Sequence, residues 1–208
     1  MNGYLVTEGH KINSSTLSYP MNDKTVGQPL RIGLWHNGSL TWKYPYEKNT
    51  EYSDCFFSVA SLNCTPDYEI IKIQLSNQTA ENQLLKVIIQ YDYTCCNQTT
   101  AFYSPTENAI MSMGQKRATM LGGSLNGTGM RQYCIQKKTY FNSFTMLHSL
   151  ASGKLPMSWL AKGDISSMFI LETVLESGMK KDGAIWTLHS SSIEMVDSLK
   201  REMISKFK

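Results

Sequence analysis

The sequence predicts an all-β protein of sandwich type, with antiparallel strands and one amphipathic α-helix near its C-terminal end. Apolar and polar residues alternate over 71–75 and again over 85–93, which is the period of a strand with one buried face. Short apolar runs separated by turn residues recur along the chain, as they do in sandwiches and barrels. The composition, 41% apolar and 18% charged, excludes disordered, collagen-like and coiled-coil proteins.

The length of 208 residues suits one large β domain or two packed β units divided near residue 150. We expect an irregular N-terminal arm over residues 1–30, where Gly, Pro, Ser and Asn interrupt any regular period. A sandwich-like domain follows over 31–150. Residues 151–208 are expected to form a β-rich segment with the helix, packed on the same domain.

The first two strands are predicted to form a hairpin over 31–44. Asn37-Gly38 lies between two short apolar runs, and this pair suits a type I′ turn because both central residues need a positive φ. Residues 55–62 predict the next strand. The two alternating stretches within 68–93, joined by a polar connector over 77–83, are then expected to pair with each other as antiparallel strands. Their outer faces would point toward water, with Lys72, Gln74, Lys86 and Gln90.

Short β-like runs follow at 101–103, 109–113 and 118–121, whereas GGSLNGTG over 122–129 predicts a flexible loop. The next apolar run, 130–150, offers five side chains for burial: Tyr133, Ile135, Tyr140, Phe144 and Leu147. Residues 165–179 fit a strand or a helix. We favour a strand, because the stretch 184–188 that follows has clear β character.

The last element is predicted to be a helix over about 192–206. Ser191 and Glu194 have the spacing of a capping box, which satisfies the first free backbone amides of a helix. Apolar residues then recur at helical spacing at Val196, Leu199, Met203 and Phe207. We expect this face to cover a sheet, and binding of a partner through it is the alternative.

Five cysteines form an odd set without CxxC spacing, which argues against a disulfide framework and a zinc ribbon: Cys55, Cys64, Cys95, Cys96 and Cys134. Cys95 and Cys96 would point to opposite faces of a strand, one into the core and one to the surface, with cross-linking between chains as the alternative. The N-terminus lacks the pattern of a signal peptide, and no run of apolar residues is long enough to span a membrane. These features predict a cytoplasmic protein, or a surface or extracellular one if a leader was removed.

The distribution of charge is the most unusual feature of the sequence. Residues 108–163 contain seven basic residues and no acidic one, namely Lys116, Arg117, Arg131, Lys137, Lys138, Lys154 and Lys162. This stretch predicts a surface that binds nucleic acid or an acidic polymer, with Tyr133, Tyr140 and Trp159 available for stacking. The alternative is that these cations point to different faces and are balanced by acidic residues elsewhere in the fold.

Catalytic motifs are absent from the sequence. The four histidines, at 10, 36, 148 and 189, lie far apart, and no HExxH, GxSxG, phosphate-loop or dinucleotide pattern occurs. We therefore predict no catalytic residue, no metal and no cofactor, and a non-catalytic interaction or structural module that binds another protein or a second copy of itself. The anion-binding module is the first alternative. A hydrolase whose Cys/His or Ser/His site is assembled by folding, such as Cys134 with His148, is the second.

Overall fold

The computed structural model describes residues 29–43, 50–51, 55–93, 99–115 and 117–206, and in these ranges the strands form two antiparallel sheets. The order of the five-stranded sheet is β10 (Gln132–Lys137), β12 (Ile165–Leu175), β6 (Gln83–Asp92), β1 (Leu30–His36) and β2 (Ser39–Lys43). The order of the eight-stranded sheet is β11 (Leu160–Gly163), β7 (Thr99–Ser104), β8 (Ala109–Met113), β9 (Ala118–Leu125), β13 (Lys180–Ser190), β5 (Tyr68–Asn77), β4 (Cys55–Cys64) and β3 (Thr50–Glu51). Three helices complete these ranges: α1 (Lys138–Phe141), α2 (Phe144–Ala151) and α3 (Ile193–Lys206). The all-β class and the C-terminal helix are therefore confirmed.

The main core lies between the two sheets. Each sheet turns one apolar face inward, with Phe57 and Ile73 on the eight-stranded sheet and Ile89 and Phe169 on the five-stranded one, all fully buried. Burying a side chain of this size contributes about 1.5–3 kcal/mol to folding. The alternation seen in the sequence thus becomes the interior of a sandwich.

The prediction that the two strands within 68–93 pair with each other was wrong. β5 lies between β13 and β4, whereas β6 lies between β12 and β1 in the other sheet. The connector crosses between the sheets, and the Asn77 side chain holds it by donating to the Glu81 carbonyl and accepting from the Thr79 amide. Alternation reports only that each strand has one apolar face. Here β5 and β6 turn their apolar faces toward each other across the core and are not hydrogen-bonded neighbours in one sheet.

Lys86 and Gln90 were expected to face water, but both are buried. The reason is that α1 and α2 cover the outer face of the five-stranded sheet and form a second apolar cluster there. The Lys86 ammonium lies 3.3 Å from the Glu172 carboxylate, donates to the Gly153 carbonyl at 2.8 Å and sits over the Trp35 ring at 5.0 Å. A buried charge of this kind is tolerated because it is paired and hydrogen-bonded.

The terminal helix covers the outer face of the eight-stranded sheet, as predicted. Val196 of α3 is fully buried against an apolar cluster that includes Met120 of β9 and Leu188 of β13. The helix is capped by Ser192 and not by Ser191, because the Ser192 hydroxyl accepts a hydrogen bond from the Met195 amide at 3.4 Å. Phe207 lies outside the described residues.

Other local predictions had mixed outcomes. The hairpin turn is confirmed, since Asn37 and Gly38 have φ angles of 48° and 80°, and residues 165–175 form a strand. The prediction of a flexible loop over 122–129 was wrong, because residues 122–125 complete β9. The chain turns only at 126–127, a second Asn-Gly pair with positive φ. Phe144, expected to be buried, is 84% exposed on α2.

Some predictions fall on parts of the chain that the structure does not describe. They concern residues 1–28 of the arm, the pair Cys95 and Cys96, and Lys116. The division into segments at residues 30 and 150 stays a prediction, although β11, β12 and β13 are hydrogen-bonded to strands from 31–150 in both sheets. No helix in the described ranges is both long and apolar enough to cross a membrane.

Candidate interaction edge of the sandwich

One side of the sandwich is closed by residues 131–137, which include β10, and by the segment 154–163; together we call these two stretches the basic edge. β10 is the outer strand of the five-stranded sheet, and β11, within the segment, is the outer strand of the eight-stranded sheet. The Ile135 amide donates to the Ser158 carbonyl at 3.0 Å, and the Ser158 hydroxyl donates to the Ile135 carbonyl at 2.8 Å. The Tyr103 amide donates to the Trp159 carbonyl at 2.9 Å. The segment is therefore pinned to both sheets.

Hydrogen bonds also hold the two ends of the basic edge. At one end the Leu155 amide donates to the Gln132 side-chain oxygen at 2.9 Å, so the segment begins beside the start of β10. At the other end the Lys138 amide donates to the Asp164 carbonyl at 3.1 Å, so β10 and β11 finish side by side. β10 spans about 20 Å at the usual rise of a strand.

Three apolar side chains project from the middle of this edge into solvent. Met157 is 68% exposed, Trp159 65% and Leu160 47%. Because successive side chains of an extended segment point to opposite sides, Met157 and Trp159 share one side and Leu160 takes the other. Single exposed apolar residues are ordinary on a protein surface, but two large ones on the same side of a segment, with a third on its other side, make this edge a candidate interaction site.

Cations flank this apolar group at both ends of the edge. Arg131 and Lys154 lie at the end where β10 begins, and Lys137 and Lys162 lie where β10 and β11 finish. All four side chains are exposed. Among the residues that the structure describes, the ion pairs with carboxylates involve other cations and leave these four unpaired.

The remaining members of the predicted basic set are placed differently. The Lys138 ammonium pairs with the Asp164 carboxylate at 2.7 Å and donates to the Tyr93 carbonyl at 2.8 Å, so its charge is largely balanced. Arg117 lies before β9 in the eight-stranded sheet, and its guanidinium donates to the Pro66 carbonyl. The structure therefore brings four of the seven predicted cations together on the basic edge.

The three residues predicted to stack on a ligand lie in different surroundings. The Tyr133 ring is half-buried and stacks on Tyr103, with ring centroids 3.9 Å apart. Tyr140 packs against the apolar cluster beneath α1 and α2. Trp159 is the one member of this set that is exposed, since both tyrosines are partly buried.

Met157 and Leu160 belong to the candidate site but are not among the residues that the sequence predicted for it. The signal was the run MSWL at 157–160, in which apolar residues fall on both sides of an extended segment. Such a run cannot be assigned to the surface until its place at the end of a sheet is known.

Cys134 and His148, the pair considered for catalysis, lie in surroundings that do not favour it. Cys134 is fully buried, and burial raises the pKa of its thiol to about 12, so little reactive thiolate forms at neutral pH. His148 is exposed on α2, and its ring stacks on Phe144. No group of three or more His, Cys, Asp or Glu in the described ranges could hold a metal ion.

A different histidine does meet a hydroxyl group, which sequence reasoning missed. The His189 Nδ1 atom lies 3.1 Å from the Thr119 hydroxyl on the neighbouring strand β9. Burial, together with the nearby Arg117 charge, lowers the pKa of His189 to about 4, against the opposing effect of Asp67. The ring is therefore neutral at pH 7 and a weak proton acceptor, which does not favour a general base.

No family model and no curated protein matches this chain. Among solved structures, the chain is similar to a bacterial glucoamylase in complex with acarbose, with a TM-score of 0.48, 11% identity, and coverage of 85% of this chain and 28% of that one. It is also similar to a chain from the human microbiome named as a kojibiose phosphorylase, with a TM-score of 0.42, 11% identity, and coverage of 85% and 25%. The chain thus spans about a quarter of the length of these solved chains, and likenesses at this level carry no argument about activity.

Proposed function

We propose that this chain is a non-catalytic binding module that contacts an acidic, extended partner along the basic edge. The observation that supports this proposal is the exposed Trp159 ring, which lies between two pairs of unpaired cations on one rigid edge. A partner of this chemistry would meet apolar surface in the middle of the edge and positive charge at both ends.

The electrostatic part of such a contact acts before the partner touches the surface. Exposed cations that no neighbouring carboxylate neutralises raise the local potential and attract an acidic partner. This attraction is screened over about 8 Å at physiological ionic strength, so the two cations at each end of the edge act together, whereas the two pairs, separated by about 20 Å along β10, attract different parts of an extended partner. Gathering Arg131, Lys154, Lys137 and Lys162 on one edge therefore matters more than the net charge of the chain.

The apolar part of the contact benefits from the rigid backbone. The Trp159 and Ser158 carbonyls are already hydrogen-bonded to Tyr103 and Ile135, so binding does not need to order the segment first. A rigid aromatic side chain on an ordered backbone loses little conformational entropy when it is covered. Trp159 is therefore the residue expected to carry most of the apolar contact.

Binding to heparin, a model acidic polymer, tests this function. The double variant Lys154→Gln/Lys162→Gln is expected to bind heparin more weakly, because two cations of the edge are lost. By the counterion-release relation, the slope of log affinity against log salt should fall by about one for each cation removed. Titrations at several salt concentrations measure both quantities.

A matched control changes the same charge elsewhere. Lys180 begins β13 in the middle of the eight-stranded sheet, and Arg201 lies on the exposed side of α3. Lys180→Gln/Arg201→Gln should leave heparin affinity within about twofold of wild type, because these cations lie on other elements. Equal weakening by both double variants, or wild-type binding that does not respond to salt, would count against a dedicated basic edge.

A further inference from the structure

We infer that the acidic partner of the basic edge is an anionic lipid surface, on which the chain lies peripherally. This inference rests on the proposed function and names the partner of the same site. It starts from the three exposed apolar side chains, Met157, Trp159 and Leu160, which occupy four successive positions between the cations. A partner has to account for both the apolar group and the charges.

An anionic membrane interface accounts for the exposed Trp159 and Met157 side chains and for the cations beside them. Tryptophan rings are enriched at the level of lipid headgroups, because the ring is mostly apolar and its N–H remains hydrated there. The aliphatic side chain of Met157, which lies on the same side of the segment as Trp159, gains by entering the boundary between headgroups and acyl chains. Lysine and arginine side chains beside them are attracted by the negative surface potential of anionic lipids.

Single-stranded nucleic acid fits the same surface less well. Proteins that bind it combine a basic groove with several aromatic faces, on which successive bases stack. On the basic edge one such ring is exposed, because Tyr133 stacks on Tyr103, and Tyr140, a residue of α1, packs against the apolar cluster on the outer face of the five-stranded sheet. The aliphatic side chains of Met157 and Leu160 would have no base or phosphate to recognise.

The backbone of the segment also suits an apolar surrounding. Backbone groups that approach the hydrocarbon region are costly unless they are hydrogen-bonded within the protein, because no water is present there to satisfy them. The carbonyls of Ser158 and Trp159 accept from Ile135 and Tyr103, so these two groups are satisfied before contact. Combining an apolar anchor with a basic patch gives the two signals that stable peripheral binding requires.

Co-sedimentation of the full chain with vesicles tests the inference. One set of vesicles contains phosphatidylcholine alone, and the other contains phosphatidylcholine and phosphatidylserine in equimolar mixture. We expect binding to the phosphatidylserine vesicles and little to the others, with the partition coefficient falling about tenfold in Trp159→Ala. Lys154→Gln and Lys162→Gln should each reduce it about fivefold, which corresponds to about 1 kcal/mol for one cation.

Matched controls separate this surface from general stickiness and from misfolding. Leu62 is 52% exposed on β4, at the opposite side of the eight-stranded sheet from β11. Leu62→Ala and Lys180→Gln should therefore bind vesicles as wild type does. Far-UV circular dichroism and urea midpoints confirm that each variant is folded. In wild type a blue shift of tryptophan emission on phosphatidylserine vesicles is expected, and it should be absent in Trp159→Ala.

The outcomes distinguish this inference from the proposed function. Salt-dependent binding to heparin without binding to phosphatidylserine vesicles would overturn the lipid inference and leave the acidic-partner function standing. The same holds if oligo(dT) quenches Trp159 and vesicles do not bind. Equal binding to both kinds of vesicle would also overturn the inference, since it would leave no role for the cations. If the wild-type chain binds neither heparin nor phosphatidylserine vesicles, both proposals are overturned.

Discussion

Replacing Gly122 with alanine is expected to destabilise the protein, because the structure places the Trp186 ring where the new methyl group would go. The added Cβ atom would lie 2.5 Å from Trp186 Nε1 and 2.6 Å from its Cε2 atom. Gly122 and Trp186 face each other across the β9–β13 pair, so neither residue can withdraw without disturbing the strand register. The indole ring would have to move by about 0.9 Å to reach ordinary contact at 3.4 Å.

The expected cost combines two opposing effects. Forcing an extra methyl group into a packed region costs about 1–3 kcal/mol through shifted side chains and backbone. Alanine also reduces the conformational entropy of the unfolded chain, which offsets about 0.4–1 kcal/mol of this. The buried Trp186 N–H has no hydrogen-bond partner in the described ranges, so packing alone resists the movement of the ring. The free energy of unfolding should therefore fall by about 1–2 kcal/mol.

Urea unfolding followed by circular dichroism measures this change. With a slope of about 2 kcal/mol per molar urea, the midpoint of Gly122→Ala should fall by about 0.5–1 M. Gly114→Ala is the matched control, because its Cβ atom would meet the Arg117 carbonyl at an ordinary 3.5 Å. That variant should have the midpoint of wild type or a slightly higher one. If Gly122→Ala matches the control, the segment 122–129 behaves as a flexible loop and the packing argument fails.

Three further outcomes are expected. The folded-state pKa of His189 is lowered to about 4 from 6.5, so as pH falls the unfolded chain binds a proton before the folded chain does. The free energy of unfolding should therefore decrease as pH drops from about 6.5 to about 4. Urea midpoints measured at several pH values should lose this dependence in His189→Asn. Exposed Cys64 should react with iodoacetamide in the native protein, whereas buried Cys134 should react only in urea, and peptide mass spectrometry measures both. Equal labelling of the two cysteines in the native protein would contradict the burial of Cys134. Val196→Ala should lower the free energy of unfolding by about 1–3 kcal/mol, because it opens a cavity beneath α3. Ser198→Ala, at an exposed position of the same helix, should change it by no more than about 0.5 kcal/mol. Equal urea midpoints for the two variants would indicate that α3 does not pack on the sheet.

Much of the local structure was predictable because its causes are local. The Asn37-Gly38 turn follows from the positive φ that both positions need, and it appears in the structure at the predicted place. The same signal was present at Asn126-Gly127, but the neighbouring Gly122 and Gly123 made the whole stretch resemble a loop. Glycine suits both positions of this strand, because an added Cβ atom would lie only 2.5 Å from the Trp186 ring at 122 and would fit tightly, 3.1 Å from the Phe169 ring, at 123.

The candidate site was predictable only in part. The acid-free stretch pointed to the correct region, and it contains all four cations of the basic edge. The sequence did not show that Asp164 would pair with Lys138, since this acid lies just beyond the stretch. It also offered Tyr133 and Tyr140 beside Trp159 as equal candidates, because an aromatic residue on a strand can point to either face.

The sequence by itself determined the all-β class, the positions of most strands, the first hairpin and the helix that covers a sheet. These features follow from alternation, turn chemistry and helical spacing, which act over a few neighbouring residues. The tertiary structure alone decided that β5 and β6 lie in different sheets, that Lys86 is buried beneath a helix, and that Trp159 stands exposed between unpaired cations. The physical reason is that strand order and the covering of outer faces depend on contacts between residues far apart in the chain. A short window of sequence contains one partner of each such contact and not the other.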